Sequence, residues 1–179
     1  DRTQPMLPLR PGQIERRMHD YKRHGTASLY AAFDIMTGQV IGRITQRHRA
    51  KEFLAFLQQI DRNTPAGLDL HVIPDNSSTH KTAAIKQWLE KHPRFKLHFT
   101  PTSASWLNAV EGWFAQLERR ALYRGAFTSV ADLKAAIRQF IEAHNEHSAK
   151  PFTWNKTAES IISSVYKAKL SVMKNKLMD

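Results

Sequence analysis

Two carboxylates in this chain stand where an acidic side chain can do more than solvate a surface. Asp75 follows directly on an apolar run, Leu68 to Ile73, and precedes Asn76 and the start of a helix. Glu111 lies one turn into a segment of helical periodicity, behind Asn108 and ahead of Trp113 and Phe114. Taken alone, each has a plain structural reading. Asp75 can help the N-terminus of a helix beginning near Thr79, and Asn108 with Glu111 can form the N-cap and N3 of a capping box. As a pair they make a different set. One carboxylate at a strand end and another on a later helix are the hard oxygen donors that two Mg²⁺ or Mn²⁺ ions require, and two such ions bracket the attacking and leaving oxygens of a phosphodiester. The remaining acids are less telling: Asp61, Glu90, Glu118, Glu142, Glu146 and Glu159 fall on or near helix surfaces, usually with Lys or Arg nearby.

The charge of the chain matches such a substrate. Twenty-seven Lys and Arg against 16 Asp and Glu leave a formal net charge of +11 over 179 residues. A basic surface of that size most simply serves a polyanion, and nucleic acid is the commonest one; the plain alternative is a solubility surface. The cations cluster at Arg16-Arg17, Lys22-Arg23, Arg47-His48-Arg49-Ala50-Lys51, Arg119-Arg120 and Arg124, with Lys81 just past Asp75. Each cluster by itself is a solvated patch. Together they are expected to follow the phosphates of a bound duplex, without reading its sequence. Six to ten such phosphate pairings imply that log affinity falls with log salt at a slope of roughly −5 to −9. There is no cysteine, so disulfides and thiolate metal sites are excluded. The first residues lack the apolar core of a signal peptide, and no apolar run is long enough to span a bilayer. A cytoplasmic protein with no membrane partner is the expectation.

The elements that must position these residues follow from periodicity and breakers. Pro5, Pro8, Pro11 and Gly12 make residues 1–13 an irregular lead-in. Residues 28–35 and 39–45 read as two strands around a turn at Met36-Thr37-Gly38, hence an antiparallel hairpin. Helical spacing covers 50–61, a third strand spans 68–73, a helix 79–92, and a fourth strand 95–99. A loop at 100–105 leads to a long helix over about 107–122. Another helix, about 129–146, begins with Ser129 and Asp132 in a capping arrangement. Past Pro151 the chain reads as a basic tail helix. A hairpin followed by strand–helix–strand–helix predicts an α/β fold, a mixed sheet with helices on both faces. Ligand groups in such folds gather beyond the carboxyl ends of the parallel strands, where Asp75 falls.

The stretches Val72-Ile73-Pro74-Asp75-Asn76-Ser77-Ser78-Thr79-His80-Lys81 and Ser105-Trp106-Leu107-Asn108-Ala109-Val110-Glu111-Gly112-Trp113-Phe114 resemble the second and third motifs of DDE transposases, in the bacterial insertion-sequence branch of the Tc1/mariner superfamily. Their separation, 111 − 75 = 36 positions, suits that branch. The resemblance runs from about residue 2 to residue 160. It implies a ribonuclease H-like fold, two divalent cations, and cleavage of double-stranded DNA followed by strand transfer, carried out by a homodimer in the transposition complex. It further implies a catalytic domain over 1–160 with a basic helix or tail over 161–179, acting at the nucleoid. Carried over by position, Asp75 and Glu111 are metal-binding carboxylates, with Asn76, His80 and Asn108 beside them. Arg47, Arg49, Lys51, Lys81, Arg119, Arg120 and Arg124 are the expected DNA contacts.

The family's first aspartate lies on the opening strand of the sheet, immediately before a hairpin like 28–45. The resemblance therefore implies that this strand, the first and central one, is missing from the chain and lies upstream of Asp1, which leaves residues 1–179 nearly inactive by themselves. Asp34 adjoins a turn and reads as a turn residue; Asp1 and Asp20 lie in irregular basic segments. Other constellations are weaker. His144 and His147 lack further zinc ligands and read as a solvated helix end. Ser77, Ser78 and His80 lack the glycines of a nucleophile elbow and read as loop and cap. Trp88 and Phe114 read as core, whereas Trp106 and Trp113, beside the site, have DNA stacking as a competing role. Two rival readings stand: a transposase remnant that only binds DNA or oligomerises, and a ribonuclease H-type or resolvase-type nuclease without strand transfer.

Overall fold

The structure is a computed structural model that describes residues 25–101, 108–123, 125–154 and 157–176, with side chains described as far as Lys167. The lead-in, Asp1, Asp20, the pairs Arg16-Arg17 and Lys22-Arg23, Trp106 and Arg124 lie outside those residues.

The hairpin forms as expected, with shorter strands. β1 (Ser28–Phe33) pairs antiparallel with β2 (Val40–Thr45), in register from Ser28 opposite Thr45 to Phe33 opposite Val40. Asp34 is a turn residue, as its position predicted. Its Oδ1 accepts from the Met36 amide at 2.9 Å and its Oδ2 from the Thr37 hydroxyl at 2.7 Å. Gly38 has φ +77, and a Cβ there would run into the Lys150 backbone, so turn and close approach both demand glycine.

Alternation along the hairpin sends its two faces to two cores. Tyr30, Ala32 and Ile41 face one; Leu29, Ala31, Phe33, Val40 and Ile44 face the other. The first core is built by helix α1 (Ala50–Asn63), whose Phe53, Phe56, Leu57 and Ile60 recur at helical spacing and are all buried. It is completed by β3 (Leu70–Val72), α2 (Ala83–Lys91) and β4 (Phe95–Leu97), which contribute Leu70, Val72, Ile85, Trp88, Phe95 and Leu97. β3 and β4 pair in parallel, Leu70 opposite Phe95. Arg94 fixes the connection: its Nε meets Asp61 Oδ1 and its Nη2 meets the Thr64 hydroxyl, both at 2.9 Å.

The second core lies on the opposite face of the hairpin, under α3 (Val110–Leu117) and α4 (Val130–Ala143). A wider π-type turn, Glu118–Leu122, extends α3, and a second, His144–Ser148, extends α4. α5 (Ala158–Lys176) follows the segment that starts at Pro151 and realises the expected tail helix. The chain is thus a mixed α/β fold with helices on both faces of the hairpin. Among the described residues, the strands form two separate two-stranded sheets, β1-β2 and β3-β4.

Candidate functional site

Asp75 lies three residues beyond the end of β3, with its side chain about half exposed. The ladder continues past the strand ends: the His98 amide donates to the Val72 carbonyl at 2.8 Å and the Thr100 amide to the Pro74 carbonyl at 3.1 Å. Pro74 is buried, so the backbone entering Asp75 is held on both sides. The chain then closes into a 3-10 turn, Ser78–His80, capped by Ser77. Ser77 and Ser78 are therefore loop and cap, as their sequence context indicated.

That turn brings His80 back onto Asp75. His80 is 5% exposed, and its Nδ1 stands 2.9 Å from Asp75 Oδ1 and 3.3 Å from the Asp75 carbonyl oxygen. Two acceptors on one nitrogen require that Nδ1 carry the proton. Nε2 then keeps a lone pair and has no hydrogen-bond partner among the described residues. The ring lies against Phe53, centroids 3.9 Å apart, and 6.3 Å from the ring of His48. Burial lowers the pKa of His80, opposed by the bond to the Asp75 backbone and by the Asp75 charge. His48 in turn stacks on Tyr30 at 4.3 Å, and the Tyr30 hydroxyl donates to the Arg49 carbonyl at 3.2 Å. Burial raises the Tyr30 pKa, with smaller contributions from the charges of Glu52 and Asp75.

Glu111 sits in the first turn of α3 and is exposed. The expected helix start is corrected: α3 begins at Val110, after an Ala109 that supplies no side-chain cap. The reciprocal capping box is absent as well, because Asn108 is engaged differently. Its Oδ1 accepts from the Val110 amide at 3.3 Å while its Nδ2 donates to the Ile73 carbonyl at 2.9 Å. Asn108 therefore fastens the start of α3 to the chain end of β3. Asp75 leaves that junction after two residues and Glu111 after three.

Trp113 takes the core role, one of the two open to it. It is 2% exposed and packs among Phe114, Phe140 and His144, so it cannot stack on a base. Trp88 is core, as its spacing predicted, and Phe114 packs against the second core. His144 is not a solvated helix end but a buried tie, its Nε2 2.9 Å from the Gly38 carbonyl. His147 is exposed beside Glu146. Of the expected DNA contacts, Arg47, Arg49, Lys51, Lys81, Arg119 and Arg120 are all exposed. Lys81 bonds to Asn76 Oδ1 and lies over the Phe99 ring at 4.8 Å, beside Asp75. Arg119 donates back to the Ala115 carbonyl at 3.1 Å. Tyr30, His48 and Glu52 are neighbours of the site that sequence reasoning passed over. Glu52 has a buried Oε2 with no hydrogen-bond partner among the described residues, and nothing in the local pattern marks it.

The donors at this junction are carboxylate oxygens, the type that Mg²⁺ and Mn²⁺ prefer, and the exposed Asp75 and Glu111 leave room for water in the remaining coordination positions. Among the described residues, no group of three or more His, Cys, Asp or Glu is placed to hold a metal ion. No described helix is long and apolar enough to cross a membrane.

A model of the DDE superfamily endonuclease family matches residues 1–134. Among curated proteins, the chain is similar to the "Insertion element IS630 uncharacterized 39 kDa protein" of Shigella sonnei, 24% identical over 90 residues. That alignment covers 50% of this chain and 26% of the relative, so the chain matches about a quarter of that protein's length.

Proposed function

We propose, given that the chain belongs to the DDE superfamily endonuclease family, that it is the carboxylate-bearing part of a transposase catalytic domain. The domain occupies residues 1–160, followed by a basic helix or tail over 161–179. It cuts double-stranded DNA at element ends and joins the freed 3′ hydroxyl to a target, working as a homodimer in the bacterial cytoplasm. Asp75 and Glu111 hold two Mg²⁺ or Mn²⁺ ions in this reading, with Asn76, His80 and Asn108 beside them. Bound divalent ions would offset the charge of the phosphodiester and activate the attacking oxygen.

The observation that carries the reading is the 2.9 Å bond from Asn108 to the Ile73 carbonyl, because it makes the two motif segments start from one point. The sheet in this reading is of ribonuclease H type. β1 pairs only with β2 and β3 only with β4 among the described residues, yet β1 and β3 both pack on the core over α1. In this reading a further strand, as the resemblance implies, joins the two pairs into a single mixed sheet and carries a third carboxylate.

The test is cleavage of element-end DNA in Mg²⁺ or Mn²⁺ by the protein together with its neighbouring sequence. Asp75→Ala and Glu111→Ala should each reduce cleavage at least ~10³-fold, since losing a metal ligand removes several kcal/mol at ~1.4 kcal/mol per decade. Duplex affinity should stay unchanged. Undiminished cleavage by either variant refutes the assignment. A second reading, a remnant that binds DNA without cutting it, is favoured by the absence of a three-ligand group among the described residues. Duplex binding without cleavage by the unsubstituted protein would select it. Cleavage without strand transfer would select a ribonuclease H-type nuclease.

A further inference from the structure

A concave surface separate from the carboxylates lies between the start of β1, the β2–α1 connection and α4. It encloses about 610 Å³ and is lined by Gly25, Thr26, Arg47, Val130, Lys134 and Arg138 among others. Its closest wall depends on glycine: Gly25 has φ +124, and a Cβ there would stand 2.7 Å from Val130 Cγ2. Three of the lining residues are cations, and none of them forms an ion pair among the described residues. Lys134 and Arg138 are one helical turn apart on α4, where like charges repel, and Arg47 approaches the same hollow from the other side. Asp132, the acid in the first turn of α4, forms no ion pair with them among the described residues; its Oδ2 accepts from the Thr128 hydroxyl at 2.6 Å. The first turn of this 14-residue helix adds its own partial positive charge through Val130 and Ala131.

Three like charges converging on one hollow are unfavourable for the isolated fold and favourable only toward an anion that meets all of them. The hollow also connects to the candidate site. Arg47 precedes His48, whose ring is 6.3 Å from that of His80, and His80 bonds to the Asp75 carboxylate at 2.9 Å. We propose that this cleft holds the phosphodiester backbone of duplex DNA, with Arg47, Lys134 and Arg138 pairing with phosphates, and guides the strand toward Asp75. The proposal rests on the reading of DNA as substrate and adds to it Lys134 and Arg138, which no motif in the sequence singles out.

The experiment is fluorescence anisotropy of a labelled duplex of arbitrary sequence with the full chain, across a range of NaCl concentrations. Removing one cation that neutralises a phosphate should lower the log–log salt slope by about 0.9, so the R47A/K134A/R138A variant should lower it by roughly 2–3. K86A/K91A, which removes two exposed cations from α2, should leave the slope unchanged. Arg47 and Arg138 are exposed and Lys134 partly so; an unchanged thermal melt of the triple variant confirms that the fold survives. An unaltered slope in the triple variant overturns the proposal, as does an equal drop in K86A/K91A. If inorganic phosphate displaces the duplex where NaCl of equal ionic strength does not, the cleft is a small-anion site and the proposal fails. If the unsubstituted chain binds no duplex at all, the DNA reading fails and takes this proposal with it.

Discussion

His80 shows how a single side chain ties the candidate carboxylate to the fold. Its Nδ1 faces both the Oδ1 and the carbonyl oxygen of Asp75, while its ring is seated on Phe53 of α1. A carboxylate oriented in this way needs its partner more than its own exposure would suggest, and loss of such an outer partner typically weakens metal binding about 10–100-fold. His80→Ala should therefore weaken Mn²⁺ binding by that factor in an EPR-detected titration. His80→Asn, whose amide N–H reaches much the same place as Nδ1–H, should recover most of it. Equal Mn²⁺ affinity in the Ala variant and the unsubstituted chain would show that His80 is only a core residue. At this scale the sequence was readable where chemistry and punctuation coincide: Asp75, Asn76 and His80 stand together between an apolar strand and a helix. It left Trp113 open between core and DNA stacking, and geometry decides between them. Two residues along a helix is about 200° of rotation, so an exposed Glu111 sends Trp113 into the core, however close the two are in sequence.

Elements are held by polar ties that periodicity does not reveal. Asn145 lies just past the end of α4, and its side chain acts like an extra strand: Oδ1 accepts from the Val40 amide at 2.8 Å and Nδ2 donates to the Val40 carbonyl at 2.9 Å. Asn145→Ala should cost about 1–3 kcal/mol in urea unfolding, because it strands partly buried backbone groups. Asn145→Asp, which loses the donor and sets a carboxylate oxygen against the Val40 carbonyl, should cost at least as much; equal stability of all three proteins would contradict the tie. The cap of α4 was legible, since Ser129 Oγ accepts from the Asp132 amide at 3.0 Å as the capping arrangement predicted. Hydrogen bonds from the Thr128 and Ser129 side chains hold the Asp132 pKa below its ordinary value. A depressed carboxylate pKa stabilises the fold above the unfolded value, about 3.8, and that contribution disappears as pH falls through the folded value. Thermal melts should accordingly show Asp132→Ala approaching the unsubstituted chain as pH drops below that value; a gap independent of pH would rule out the charge. Element ends were less legible. The single helix expected over 79–92 divides into a 3-10 turn and α2, because the bond between His80 and Asp75 closes the first turn before Thr82 starts the second.

At the scale of the molecule, one core joins the hairpin to the parallel pair. Leu57, fully buried at its centre, packs in a cluster with residues from β1, α2 and β4. Leu57→Ala should cost about 2–5 kcal/mol and lower the midpoint of a single unfolding transition; separate transitions for hairpin and parallel pair would break the picture of one core. The mixed α/β character and the helices on both faces of the hairpin were readable from the order of strand and helix periods. The division into two short sheets among the described residues was not, since pairing partners are a long-range property and a three-residue strand leaves little pattern. Function at this scale comes down to whether Asp75 and Glu111 serve one metal centre. Anomalous diffraction answers that, from crystals of the protein with its neighbouring sequence and element-end DNA, soaked in Mn²⁺. Two Mn²⁺ peaks about 4 Å apart are expected, each pair touched by the carboxylates of both Asp75 and Glu111. Peaks that touch only one of these side chains, or that lie elsewhere while DNA is bound, would refute a shared centre.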